Sequence, residues 1–235
     1  MKHQKSMLYL GFDTKHFKTD KPVIHMPLVE VVPRPIDSFE IRRIFSELLS
    51  YTHIVFMSKK SVKIFLSYLK QFGYSLSILK KIHIIAIGQI TAYYLRESGV
   101  VPDYISSDET QEGIIKTIAH FDLENANILL PRSSSARPLL SHYLVEHGIR
   151  HQICTMYDMC KKPPQELVDL NKVDEVVFTT PLAVDYFFEL YKNVPKEIKL
   201  HPLGPVARER LRTVLHVRRG SSAPETEQKT TALAC

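Results

Sequence analysis

The chain has 235 residues, room for one large domain or two small ones, and its 44% hydrophobic and 24% charged content is that of an ordinary globular protein. Its net charge of +6 favours anionic partners, but the lysines and arginines are scattered, without the basic block or interleaved aromatics of a dedicated nucleic-acid surface. No apolar run approaches the roughly 20 residues of a membrane helix, and the start, MKHQKSMLYLGF, has no apolar core for a secretory signal, so a soluble cytoplasmic protein, acting as a monomer, is expected.

Short apolar runs alternate with amphipathic stretches, the rhythm of a mostly parallel sheet with helices on both faces. A first strand is expected at 8–12, followed by too few residues before Pro27 for a full helix. The segment PLVEVVPRP, 27–35, reads as an extended linker strand, and a helix follows at 38–49. A strand at 54–57 then runs through Ser58-Lys59-Lys60-Ser61 into a helix at 61–72, and a strand at 82–87 through Gly88-Gln89-Ile90-Thr91 into a helix at 91–98. After a helix at 111–120, the strand at 128–131 turns through Arg132-Ser133-Ser134-Ser135 into a helix at 136–147, stopped by Gly148.

A second linker strand, ICTMYDMCKK at 153–162, precedes a strand at 175–179, the turn Thr180-Pro181-Leu182 and a helix at 182–190. The last units are a strand at 200–203, the turn Gly204-Pro205-Val206 and a helix at 206–214. The tail from Arg218 is polar, with Ser222 or Pro224 able to start one short helix.

One pattern occurs twice. THIVFMSKKSVKIFLSYL (52–69) and DEVVFTTPLAVDYFFELY (174–191) both read as strand, small-residue turn and helix, each followed by a glycine turn opening another helix. This implies two α/β lobes, doubly wound, with a cleft between them. Lobe 1 is expected to be discontinuous, from 1–26 and 163–235, and lobe 2 to span 36–152. The segments 27–35 and 153–162 would be linker strands paired as a two-stranded β-ladder.

In a doubly wound sheet, ligands bind beyond the carboxyl ends of the strands, where helix-start amides point outward. The five turns named above sit at such ends. Each Ser or Thr there also has a plain structural reading, as a helix N-cap worth about 1 kcal/mol. No carboxylate pair, Ser/His or Cys/His arrangement, GxSxG, GxGxxG or P-loop is present, which argues against hydrolases, dinucleotide enzymes and P-loop NTPases. An enzyme built from these turns works by binding, orientation and hydrogen-bond donors, on a substrate with reactivity of its own. Tyr157, on the second linker strand, is the aromatic hydroxyl placed to reach a ligand in the cleft.

The three cysteines form no CxxC pair and are read as small buried hydrophobes plus one tail thiol, in a reducing compartment. The histidines show no metal-ligand spacing, so no metal is expected.

Taken together these residues resemble the uroporphyrinogen-III synthase family. Its T-S-x-x-A-V-like turn is matched by Phe56-Met57-Ser58-Lys59-Lys60-Ser61-Val62 and again by Phe178-Thr179-Thr180-Pro181-Leu182-Ala183-Val184. Its V-G-x-x-T-A turn is matched by Ile87-Gly88-Gln89-Ile90-Thr91-Ala92, and its R-x-x-x-x-R strand and helix followed by V-Y by 128–140, Gly148 and Met156-Tyr157. The similarity spans nearly all of 50–210.

The resemblance implies two flavodoxin-like lobes and the cyclisation of hydroxymethylbilane, a linear tetrapyrrole polycarboxylate, to uroporphyrinogen III with inversion of ring D. It implies no cofactor, metal, membrane or nucleic acid. Loss of the ring A hydroxyl gives an azafulvene, ring D attacks through its substituted carbon to a spiro intermediate, and rearrangement closes the macrocycle.

The family's tyrosine falls on Tyr157, assisting departure of the hydroxyl, and its active-site threonine on Thr91. Ser58 and Thr180 match hydroxyl-bearing cleft residues. Gly88, Gln89, Ile90, Ser133, Ser134, Pro181, Leu182, Gly204, Pro205 and Val206 would line a carboxylate-binding cleft, with Lys59, Lys60 and Arg132 adding positive charge. Three features depart from the family: no threonine follows Gly204, the first strand reads Gly-Phe-Asp-Thr-Lys where arginine is usual, and the first helix is nearly absent. A two-lobed binding or regulatory protein that kept the fold and lost the chemistry is the other reading.

Overall fold

A computed structural model describes residues 6–14 and 17–220, with side chains through Arg218. In chain order the elements are β1 (Ser6–Tyr9), β2 (Val23–His25), β3 (Val29–Pro33), α1 (Phe39–Ser46), β4 (His53–Phe56), α2 (Lys59–Gln71), β5 (His83–Ala86), α3 (Gln89–Glu97), β6 (Tyr104–Ile105) and α4 (Gln111–Ile118). They continue with β7 (Asn127–Ser133), α5 (Leu139–Glu146), β8 (Arg150–Lys161), β9 (Val173–Phe178), α6 (Pro181–Leu190), β10 (Lys199–Pro202) and α7 (Pro205–Gly220). The chain forms two compact units, Met1–Val31 with Met159–Cys235, and Val32–Asp158.

Within Val32–Asp158 the strands β8, β7, β4, β5 and β6 lie side by side in that order, every neighbouring pair parallel. Successive side chains on a strand face opposite ways, so each strand must satisfy two cores. Val55, Ile85, Ile128 and Leu130 pack with Ile114 and Ile118 of α4 and Leu140 and Leu144 of α5. Phe56, one residue on from Val55, instead meets Phe65 of α2 edge-on at 5.3 Å, and Phe65 meets Phe45 of α1 at 5.0 Å. Both faces are covered, which is why HIVF and HIIA read as unbroken apolar runs.

The other unit has the order β10-β9-β1-β2, again all parallel, with Leu8, Val176 and Phe178 in one core with Val184 and Phe187 of α6 and Leu211 of α7. The two sheets share a spatial order: β2-β1-β9-β10 matches β8-β7-β4-β5. The internal sequence repeat therefore places β4 with β9 and β5 with β10, and makes β1 the counterpart of β7. In chain order, however, the pair β7-β8 follows β4-β5, whereas β1-β2 precedes β9-β10, a circular permutation that no local motif reveals.

Several boundaries differ from the expected ones. Helix 136–147 begins only at Leu139, because Pro138 bars the residue before it from helical backbone. Helix 206–214 continues to Gly220. Strands β2 and β6 were not expected; at three and two residues they are too short to show a period. Cys154 is a buried free thiol and Cys160 is also buried; the tail thiol lies outside the described residues. The expected short helix at Ser222 or Pro224 lies outside the described residues.

Candidate active site

Along the sheet of Val32–Asp158 the chain moves from β4 to β5 and β6 on one side, then returns to β7 and β8 on the other. The connections leaving β4 and β7 diverge, and such a switch point opens a crevice at the carboxyl ends of adjacent strands. Ser58 follows β4 there, and Ser133 ends β7.

Ser58 has extended backbone and caps α2, its hydroxyl accepting from the Ser61 amide at 3.1 Å. The same Oγ lies 3.2 Å from the Tyr157 phenol oxygen. Ser61, missed as a site residue, is buried and donates its hydroxyl to the Ser58 carbonyl at 2.7 Å, fixing the turn. The sequence puts it in the turn Ser58-Lys59-Lys60-Ser61 but gives it no role of its own, because it also opens the helix pattern from 61.

Tyr157 owes its position to a β-bulge. The β7–β8 register pairs Arg132 with Thr155 but Ser133 with Tyr157, so Met156 is an extra residue. A bulge breaks the alternation of faces, and Met156 and Tyr157 are accordingly both buried. The Ser134 amide donates to the Tyr157 carbonyl at 3.1 Å, locking the bulge to the turn after β7.

Burial pushes the phenol above its ordinary pKa, against opposing hydrogen bonds with Ser58 and Ser133. At neutral pH the phenol is protonated, as any ordinary tyrosine is, with Ser58 and Ser133 as its hydrogen-bond partners. The neighbouring Asp158 receives Arg34 Nε at 3.1 Å and Nη2 at 3.2 Å, and this pair, with a Ser134 hydrogen bond, holds its carboxyl below the usual range. Asp158 is committed elsewhere than to the phenol.

Thr91 is buried in the first turn of α3, beyond β5, the parallel neighbour of β4. Gly88 opens that helix with a Cβ position occupied by the Glu109 side chain, and Gln89 and Ile90 are exposed. Among the described residues no hydrogen bond joins Thr91 to Tyr157. Lys59 and Lys60 are half-buried, with the Lys59 ammonium 5.6 Å from the Tyr94 ring centre. Arg132 is half-buried; its Nη1 reaches the Arg137 carbonyl at 3.4 Å while Nε is buried without a hydrogen-bond partner. Burial lowers its pKa.

In the other unit the switch point falls between β1 and β9. Thr180 caps α6 at 3.2 Å from the Ala183 amide, with Pro181 in the first turn and Leu182 half-buried. Thr179 was missed: its hydroxyl is buried with no partner. Gly204 takes φ +82°, which L side chains rarely adopt, and leads into Pro205 and Val206, all three exposed. Among the described residues no group of three His, Cys, Asp or Glu is placed to hold a metal, and no helix is long and apolar enough to cross a membrane.

The sequence model of the family described as uroporphyrinogen-III synthase HemD matches residues 20–225. The chain belongs to the uroporphyrinogen-III synthase family. Members of this family are cyclising lyases of porphyrin biosynthesis. A protein of Methanothermobacter thermautotrophicus assigned as a uroporphyrinogen-III synthase is 28% identical over 172 residues, 67% of each chain. The porphyrin biosynthesis protein HemD of Ruminiclostridium josui is 23% identical over 180 residues, covering 74% of this chain and 35% of that one; this chain thus spans about a third of that relative. The solved Thermus thermophilus uroporphyrinogen III synthase, in a mutant form, superposes with a TM-score of 0.62 at 20% identity over 89% of this chain and 88% of that one. The Helicobacter pylori uroporphyrinogen-III synthetase gives 0.57 at 17% identity over 97% and 94%. These structures share the mixed α/β fold with parallel sheets.

Proposed function

We propose that this chain converts hydroxymethylbilane to uroporphyrinogen III, and that the buried Tyr157 phenol is its proton donor. The observation that carries the reading is a buried phenol oriented by Ser58 and Ser133 at a sheet's switch point. The phenol proton goes to the departing ring A hydroxyl, which leaves as water and yields the azafulvene. Ring D attacks through its substituted carbon to form the spiro centre; the older bond from that carbon to the methylene shared with ring C then breaks, leaving a ring C azafulvene, and that methylene bonds to ring D's free α-carbon, which inverts the ring. The proton released when the last pyrrole regains aromaticity returns to the tyrosinate, so the balance is one substrate to one macrocycle and one water.

Thr91 is the second residue assigned to the reacting end. Arg132, Lys59 and Lys60 attract the substrate carboxylates, and the turns at Gly88-Gln89-Ile90, Ser133-Ser134, Thr180-Pro181-Leu182 and Gly204-Pro205-Val206 offer them hydrogen bonds, proline through ring contacts and its carbonyl alone. The finer architecture belongs to the same proposal: two flavodoxin-like lobes, 1–26 with 163–235 and 36–152, with 27–35 and 153–162 as a linking ladder. So do monomeric, cytoplasmic operation and the lack of a cofactor.

Replacing Tyr157 by Phe removes one hydroxyl and leaves the packing. A general acid contributes about 10²–10⁴-fold, so kcat for isomer III is expected to fall by about a hundredfold with KM little changed. Unchanged turnover would remove Tyr157 from the mechanism.

A further inference from the structure

The opposite end of β5 from Gly88 carries a second concavity, of about 700 Å3, within Val32–Asp158. It is formed by the 3-10 turn Leu76–Lys81, the start of β5 and the segment after α3. Its floor is apolar and packed: Leu79, Ile82, Ile84 and Val100 are buried. Its walls are apolar and wet, with Leu76 41% and Val101 75% exposed.

The polar groups around this floor are unevenly committed. The one lining carboxylate, Asp103, accepts the Ile84 amide at 2.7 Å through one oxygen, and its other oxygen lies 3.8 Å from His83 Nδ1. Lys80 and Lys81, adjacent and exposed, have no ion-pair partner among the described residues. A second groove, about 430 Å3 between α6 and α7, differs in this respect: its Lys161 pairs with Glu189 and its Arg210 with Asp185.

An apolar floor of ligand-pocket size, rimmed by two unspent ammonium groups and a carboxylate already used by the backbone, matches one kind of molecule. We propose that this cavity binds a small amphipathic organic anion, its acidic head at Lys80 and Lys81 and its apolar body against the exposed Leu76 and Val101. The site is separate from the candidate active site: β5 alone separates the two by about 13 Å at 3.3 Å per residue.

The test uses the full chain and octanoate as probe, followed by calorimetry and ligand-observed NMR, with 1-octanol and octylammonium as neutral and cationic controls. Two variants report on the site, the double substitution Lys80→Glu/Lys81→Glu and, on the exposed wall, Val101→Asp. Saturable binding of one octanoate per chain is expected, at least tenfold tighter than octylammonium or octanol and weakened at least tenfold in both variants, while Tm and isomer III formation stay unchanged. The proposal is overturned if octanoate does not saturate, if all three probes bind alike, if neither variant weakens it, or if Arg132→Ala rather than these variants abolishes it.

Discussion

Ser58 serves two partners with one oxygen, capping α2 and meeting the Tyr157 phenol. Its loss therefore separates into a stability part and an activity part. Ser58→Ala is expected to cost about 1 kcal/mol in denaturant unfolding, the usual worth of a cap, and also to lower turnover. Ser58→Thr keeps the oxygen and should restore most of both. A variant that loses stability but turns over normally would reduce Ser58 to a cap. His53 gives a pH-dependent counterpart. Burial, and then the neighbouring His83, lower its pKa in the folded protein. The unfolded imidazole, near 6.5, takes up its proton first as pH falls, so this residue's contribution to stability is lost on acidification below about 6.5. In urea titrations from pH 8 to pH 5, His53→Gln should show a shallower loss than the parent; a steeper one would contradict the assigned burial.

At the scale of elements, the strand–turn–helix units were legible because their strands are buried on both faces and a hydroxyl residue stands in each turn but that at Gly204, capping the helix at Ser58 and Thr180. Ser58, Ser133, Thr91 and Thr180 were all placeable at carboxyl ends of strands for that reason. The bulge at Met156 was not legible, since it is a register shift against a distant strand and leaves MYDM looking like ordinary alternation. Gly113 hides in the same way. Helix propensity favours replacing it by Ala, by about 1 kcal/mol. Yet a Cβ there would lie 2.2 Å from the Asp108 carbonyl oxygen, backbone of the turn that leads into the Thr110 cap. Shifting that turn costs more than propensity returns, so Gly113→Ala is expected to destabilise by about 1–3 kcal/mol. A higher urea midpoint would show that the turn yields freely.

For the whole molecule, the repeat implied two similar α/β sheets, and the shared order β2-β1-β9-β10 and β8-β7-β4-β5 is its structural form. The permutation was out of reach because local apolar patterns specify strands, not their neighbours. Function was legible through the order and spacing of the turns, and the family match over 20–225 agrees with it; the bare residue chemistry, lacking any acid–base pair, excluded classes without choosing one. The absent threonine after Gly204 leaves the two sheets unequally equipped, and the Tyr157 end carries the proposed proton transfer. The most direct test is to incubate the full chain with freshly prepared hydroxymethylbilane, oxidise the products and separate the isomers. Formation of isomer III at a rate proportional to protein concentration is predicted. Isomer I alone, at the rate seen without protein, would contradict the account.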